Sequence, residues 1–204
     1  LVISGALHPE YLRVLKSLTH HLGFEIVEVG FKEDGATDAT AMKSQVNDDT
    51  FDVVVQSPNA LGLIEDLAAF VRGLGSGPVH LVGWSLSGTS VLGVAVRYPE
   101  LVKSVYVYEG GLSTFITDPA DLKAIDDDAD AAFNPVVPLV KAGDGAAATR
   151  LLMDNVNAEP GLFDSFPPAW RAMQLDNART LALMFAPSPS PKFTCQQLAQ
   201  IKVP

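Results

Sequence analysis

Apolar residues fall in two alternating rhythms along the first 110 residues. Short apolar runs at 1–5 (LVISG), 24–31 (FEIVEVGF), 51–58 (FDVVVQSP), 79–85 (VHLVGWS) and 102–110 (VKSVYVYEG) read as strands. Between them lie stretches of helical period. One helix starts at Pro9, which suits a first helical turn, keeps Leu12, Leu15, Leu18 and Leu22 at helical spacing and ends at Gly23. A second covers 38–49 with Asp38 as N-cap, a third covers 63–73, and a fourth begins directly after Ser85. Strands alternating with helices at this spacing predict an α/β fold, a mostly parallel sheet with helices on both faces in three layers.

The texture changes after Gly111. Residues 112–200 show no comparable strand, only helical segments at 138–157 and 167–185, an acidic run at Asp126–Asp128 and a Pro/Ser stretch at 186–193. The organisation expected is a sheet core over 1–111, a helical cap-like region over 112–200, and the first residues of a truncated strand at 201–204 (IKVP). An unpaired sheet edge there would invite self-association.

Composition narrows the function classes. Hydrophobic residues are 48% of the 204, enough for a sizeable core, and the net charge of −10 leaves no basic face for nucleic acid. The single Cys, Cys195, rules out an internal disulfide and a Cys-based zinc site, and reads as a small buried hydrophobe. No apolar run approaches the roughly 18 residues of a membrane span, and the opening LVISGALHPEY has no basic leader. The expectation is a cytoplasmic protein without cofactor or metal.

The sharpest local feature is VHLVGWSLSG, residues 79–88. An apolar strand runs into Gly83-Trp84-Ser85-Leu86-Ser87-Gly88 and a helix follows at once. A serine on such a strand-to-helix turn is pushed out above the sheet, and the helix N-terminus faces any oxyanion formed there. The usual Gly at the fifth position is replaced by Ser87, whose Cβ adds crowding. The alternative is an ordinary turn with Ser85 as helix N-cap.

With these residues, 66–204 resemble α/β-hydrolases of the serine esterase type, through DLAAFVRGLGSGPVHLVGWSLSG, RYPELVKSVYVYEG and TCQQLAQIKVP. The resemblance implies Ser85 as nucleophile, the Leu86 N–H as an oxyanion donor, a cap over the pocket, and a small apolar ester as substrate. Aromatic residues Phe115, Phe133, Phe163, Phe166, Trp170 and Phe185 read either as pocket lining or as core.

A serine needs a base, normally His held by a carboxylate. None of the four His residues, His8, His20, His21 and His80, follows Ser85. His80 lies about 16 Å back along the strand. His20 and His21 suit a helix C-terminus. His8 would share the rim with Ser85 if the first strand neighboured the elbow strand, which makes it the one candidate replacement base. Glu109, closing the next strand, reads as a polar strand end or as the acid that some family members place there. By resemblance, the family chain continues past IKVP to its acid and His, so the nucleophile is expected to be crippled here.

Residues 1–66 resemble a different family, the glycine decarboxylase P-protein of the glycine cleavage system. The stretches are ISGALHPEYLRVLKSL, GFEIVEVGFKEDGATD and DDTFDVVVQSPNALGLIEDL. That family uses pyridoxal phosphate, but its cofactor His and Lys lie outside the matched stretches; Lys32 and Lys43 read as solvated. The two resemblances meet at IEDLAAF, residues 64–70, so the chain reads as a chimera joined within a helix. Three functions compete: a serine hydrolase, a non-catalytic fused scaffold with an orphan nucleophile, and a fragment of a pyridoxal-phosphate enzyme.

Overall fold

A computed structural model describes residues 1–61, 63, 64, 66–110, 112–186 and 193–204. The chain divides into two compact units: the described residues of Leu1–Asn59, Leu63–Phe115 and Pro189–Pro204, and those of Ala60–Gly62 and Ile116–Ser188.

The first unit is α/β. Its elements are β1 (Val2–Ser4), α1 (Pro9–Thr19), β2 (Val27–Val29), α2 (Ala39–Gln45), β3 (Val53–Val54), α3 (Leu67–Leu74), β4 (Val79–Trp84), α4 (Leu86–Arg97), a 3-10 turn at Pro99–Leu101, and β5 (Val102–Tyr108). All pairing between these strands is parallel, but they form two sheets, β2-β1-β3 and β4-β5, where one sheet was expected. β1 is central, with Val2 opposite Val27 on one side and Val53 on the other. All three of its residues are buried, which is why an uninterrupted apolar run suits it.

Helix α3 joins the two sheets. Ala68 and Val71 pack in a cluster with Leu81 of β4, Val91, Val94 and Ala95 of α4, and Val102 of β5. Phe70 and Leu74 pack in a second cluster with Val2, Val29 and Met42, and Leu67 borders both. At about 100° per residue, the two pairs emerge from different sides of the helix. The Asp66 carboxylate caps α3 by accepting the Ala69 N–H at 2.9 Å, and Gly75 ends it at φ 62°.

Helices α3 and α4 share one face of the β4-β5 sheet. On the other face Val82, Trp84, Tyr106 and Tyr108 are exposed, so no described helix covers it in the expected third layer. Residues 201–204 are not a strand. They nevertheless lie along β5: the Val105 N–H donates to the Pro204 carbonyl at 2.9 Å, and Ile201 and Val203 pack on the α3/α4 cluster.

Several predicted elements are shorter than their apolar runs. Phe24 and Phe51 fall outside their strands, where their exposed rings stack at 5.2 Å. α1 ends four residues before Gly23 and buries no residue; Leu18 and Leu22, two of its helically spaced leucines, are exposed. Cys195 is also exposed, at the start of the short helix Cys195–Leu198.

The second unit is helical: α5 (Pro119–Phe133), α6 (Val137–Lys141), α7 (Gly145–Val156), α8 (Leu162–Ser165), α9 (Pro168–Asp176), a 3-10 turn at Asn177–Thr180, and α10 (Leu181–Met184); Cys195–Leu198, in the first unit, is α11. Its core is Val136, Ala148, Leu152 and Leu181. The predicted 138–157 helix is two helices, broken at Gly143 (φ 76°), with Asp144 capping the second through the Ala147 N–H. Of the cap-region aromatics in this unit, Phe163 is core, while Phe133 and Trp170 are exposed. The expected Pro/Ser stretch falls largely outside the described residues.

Asp154 holds the turn between α7 and α8. Its carboxylate accepts the Phe163 and Gly161 N–H groups, each at 2.8 Å. These bonds, with a smaller contribution from Arg150, hold its pKa below the ordinary value of 3.8.

Two outcomes follow from this packing. Phe70→Ala should destabilise the first unit by about 3–5 kcal/mol in urea unfolding, since it empties a site shared by α3 and the β2-β1-β3 sheet. Because the Asp154 carboxyl is lowered on folding, its stabilisation is complete above the unfolded carboxyl's pKa and is lost as pH falls through the folded value. Thermal melts of Asp154→Asn below pH 4 should therefore fall less steeply with acid than wild type, about this linkage; parallel curves would remove the residue from that role.

Candidate functional site

The turn from β4 to α4 is tight. Ser85 has φ 52° and ψ −121°, a backbone conformation that side chains other than Gly rarely adopt. It is pinned on both sides: its N–H donates to the Tyr108 carbonyl at 3.0 Å, and its carbonyl accepts the Gly88 N–H at 2.9 Å. Ser85 occupies the N-cap position of α4, yet its side chain makes no capping hydrogen bond. Its exposed hydroxyl is therefore not spent on the helix end, as the ordinary-turn alternative requires.

Two glycines make room for this turn. A Cβ on Gly83 would come 2.6 Å from the Ser87 carbonyl oxygen, and one on Gly88 would come 2.8 Å from Val107 Cγ1. Ser87, expected to crowd the turn, instead ties it. Its exposed Oγ accepts the Trp84 N–H and donates to the Trp84 carbonyl, both at 2.8 Å. The tight positions are 83 and 88, one residue beyond the usual spacing, so position 87 can carry a hydroxyl.

The Leu86 N–H lies in the first turn of α4, where helix geometry leaves N–H groups without intrahelical acceptors. The dipole of this 12-residue helix adds positive potential at the same end.

Glu109 stands beside Ser85. β4 and β5 run in register with Trp84 opposite Tyr108, so the residues that follow them, Ser85 and Glu109, end the two strands side by side. Glu109 also has positive φ, at 49°. Its exposed carboxylate accepts a hydrogen bond from Trp84 Nε1 at 3.2 Å. This Trp84–Glu109 link was not read from the sequence. It comes from the pairing of Trp84 with Tyr108, a register that only the assembled strands set.

The histidines are engaged elsewhere. His8 is buried and caps α1, its Nδ1 accepting the Glu10 N–H at 3.2 Å, while its own N–H donates to Gln56 Oε1 at 2.9 Å. Both edges of β1 are taken, by β2 and β3, so the adjacency to β4 on which a His8 base depended is not formed. His80 Nδ1 lies 2.6 Å from Ser104 Oγ across the β4-β5 ladder. His20 and His21 form an edge-on ring pair just after α1. Lys32 and Lys43 are on the surface.

The profile of the alpha/beta hydrolase family matches residues 20–198. The match reaches back well before residue 66, where the sequence reading set its start. Strand-helix units on both sides of that position share one apolar rhythm, so the same profile can run through both. The chain is also 42% identical over 69 residues to the probable glycine dehydrogenase (decarboxylating) subunit 1 of Brevibacillus brevis, covering 34% of this chain and 15% of that protein. The subunits named in the same way from Endomicrobium trichonymphae and Francisella philomiragia are 39% and 46% identical, each over 69 residues, covering 34% and 33% of this chain and 16% and 15% of theirs. The chain thus matches about 15% of the length of these curated relatives.

The strain at Ser85 is measurable. Glycine relieves a positive φ, so Ser85→Gly should unfold at higher urea than Ser85→Ala, by about 1 kcal/mol. Equal midpoints would mean that the turn relaxes in solution.

Proposed function

The chain belongs to the alpha/beta hydrolase family, and from that premise we propose that it is a serine hydrolase acting on carboxylic esters. Ser85 Oγ attacks the ester carbonyl and the Leu86 N–H receives the oxyanion. The alcohol leaves with a proton, an acyl group stays on Ser85, and water then releases the acid. Glu109 is the candidate carboxylate of the site. The observation that carries this reading is Ser85 itself, held at φ 52° between β4 and α4 with no capping bond on its side chain.

The base is the weak link. No His follows Ser85, and His8 and His80 hold other bonds. Members of a catalytic triad act as a unit, so this chain by itself would keep only the rate that an oxyanion hole and binding supply.

That weakness favours a second reading, a fused scaffold carrying an orphan nucleophile. Its support is the identity of about 40% to glycine dehydrogenase subunits over a third of the chain, beside a hydrolase profile over most of it. In this reading the two ancestries join within α3, whose two apolar sides suit both partners. A pyridoxal-phosphate role has least support, since Lys32 and Lys43 are exposed. Self-association through a sheet edge at 201–204, as the sequence suggested, remains part of the proposal; Pro204 lies along β5 there.

Fluorophosphonate labelling read by intact mass separates the first two readings. The folded chain should take up one label slowly, and Ser85→Ala should take up none. A folded wild-type chain that stays unlabelled would make Ser85 an orphan.

A further inference from the structure

The exposed face of the β4-β5 sheet ends beside Ser85 in two aromatic rings, Trp84 and Tyr108, that the hydrolase steps leave unused. Trp84 and Tyr108 face each other across one rung of the ladder. Their rings are 6.2 Å apart, tilted at 56°. They are 65% and 53% exposed, so two aromatic faces meet solvent side by side. The positive-φ turn at Glu109 brings its carboxylate back to the indole edge, where Trp84 Nε1 donates to Oε2 at 3.2 Å. The result is a pair of π faces with an anion fastened beside them.

An apolar ligand fits this corner poorly, because it would strip water from the Glu109 carboxylate. A second anion would be repelled by it, and by a chain of net charge −10. A cation with an apolar shell satisfies all three groups. It meets the negative faces of both rings and keeps the carboxylate paired.

We propose that Trp84, Tyr108 and Glu109 form a binding site for an alkylammonium group beside Ser85, and that the ester substrates of this site carry such a group. The second clause rests on Ser85 being the nucleophile. The cation site does not depend on it.

The test follows the Trp84 indole N–H resonance, assigned with Trp170→Phe, during titration with tetramethylammonium chloride at constant ionic strength. A saturable shift is expected, with tert-butanol, a neutral molecule of similar size, giving none. Glu109→Gln and Tyr108→Ser should each weaken binding by about fivefold. Either variant suffices if the other fails to fold. Ser85→Ala should bind as wild type does. An equal response to tert-butanol, no saturable shift, or unchanged binding in both variants overturns the cation site, whatever Ser85 labelling shows. For the substrate clause, a fluorophosphonate bearing a trimethylammonium group should label Ser85 about fivefold faster than its neutral analogue, by the same attraction. Equal rates overturn that clause, and no labelling by either probe overturns the nucleophile reading while the titration still judges the cation site.

Discussion

The first unit depends on an eight-residue helix with two apolar sides. Its strands form no common sheet, so no ladder of hydrogen bonds ties β1, β2 and β3 to β4 and β5. The tie is α3. Ala68 and Val71 serve the cluster under the Ser85 turn, and Phe70 and Leu74 serve the cluster under β1 and β2. A helix that short is unstable alone and takes its stability from burial, so the two clusters and the helix require one another.

The Ser85 turn is stabilised from the β5 side as much as from its own strand. The Tyr108 carbonyl holds the Ser85 N–H, and Gly88 packs against Val107. A strained φ persists only where its surroundings over-determine it. Here Gly83, Gly88, the Ser87 hydroxyl and the β4-β5 register all act on one residue. The same register delivers Glu109 and Tyr108 to that rim, so the elbow and the aromatic corner have one structural origin.

The catalytic question turns on where the imidazoles are. His8 looked available because it follows a strand, as Ser85 does. It is instead part of a helix cap, in a sheet with no free edge at β1. His80 bonds Ser104 across the ladder. The Ser85 turn and the placing of the imidazoles are thus separable properties of this chain, and only the first is built by its local sequence.

Much of this was legible in the sequence. The order of strands and helices in the first 110 residues follows from apolar periodicity, and the Gly83–Gly88 turn from small residues between a strand and a helix, because both are local consequences of backbone sterics. The two-sided role of α3, the split into two sheets, the exposure of Leu18, Leu22 and Cys195, and the meeting of Trp84 with Glu109 were not. Each depends on which segments pack together over long separations. Apolar periodicity says which side of an element prefers burial, but not whether another element arrives to bury it; that choice is made only when the chain closes on itself.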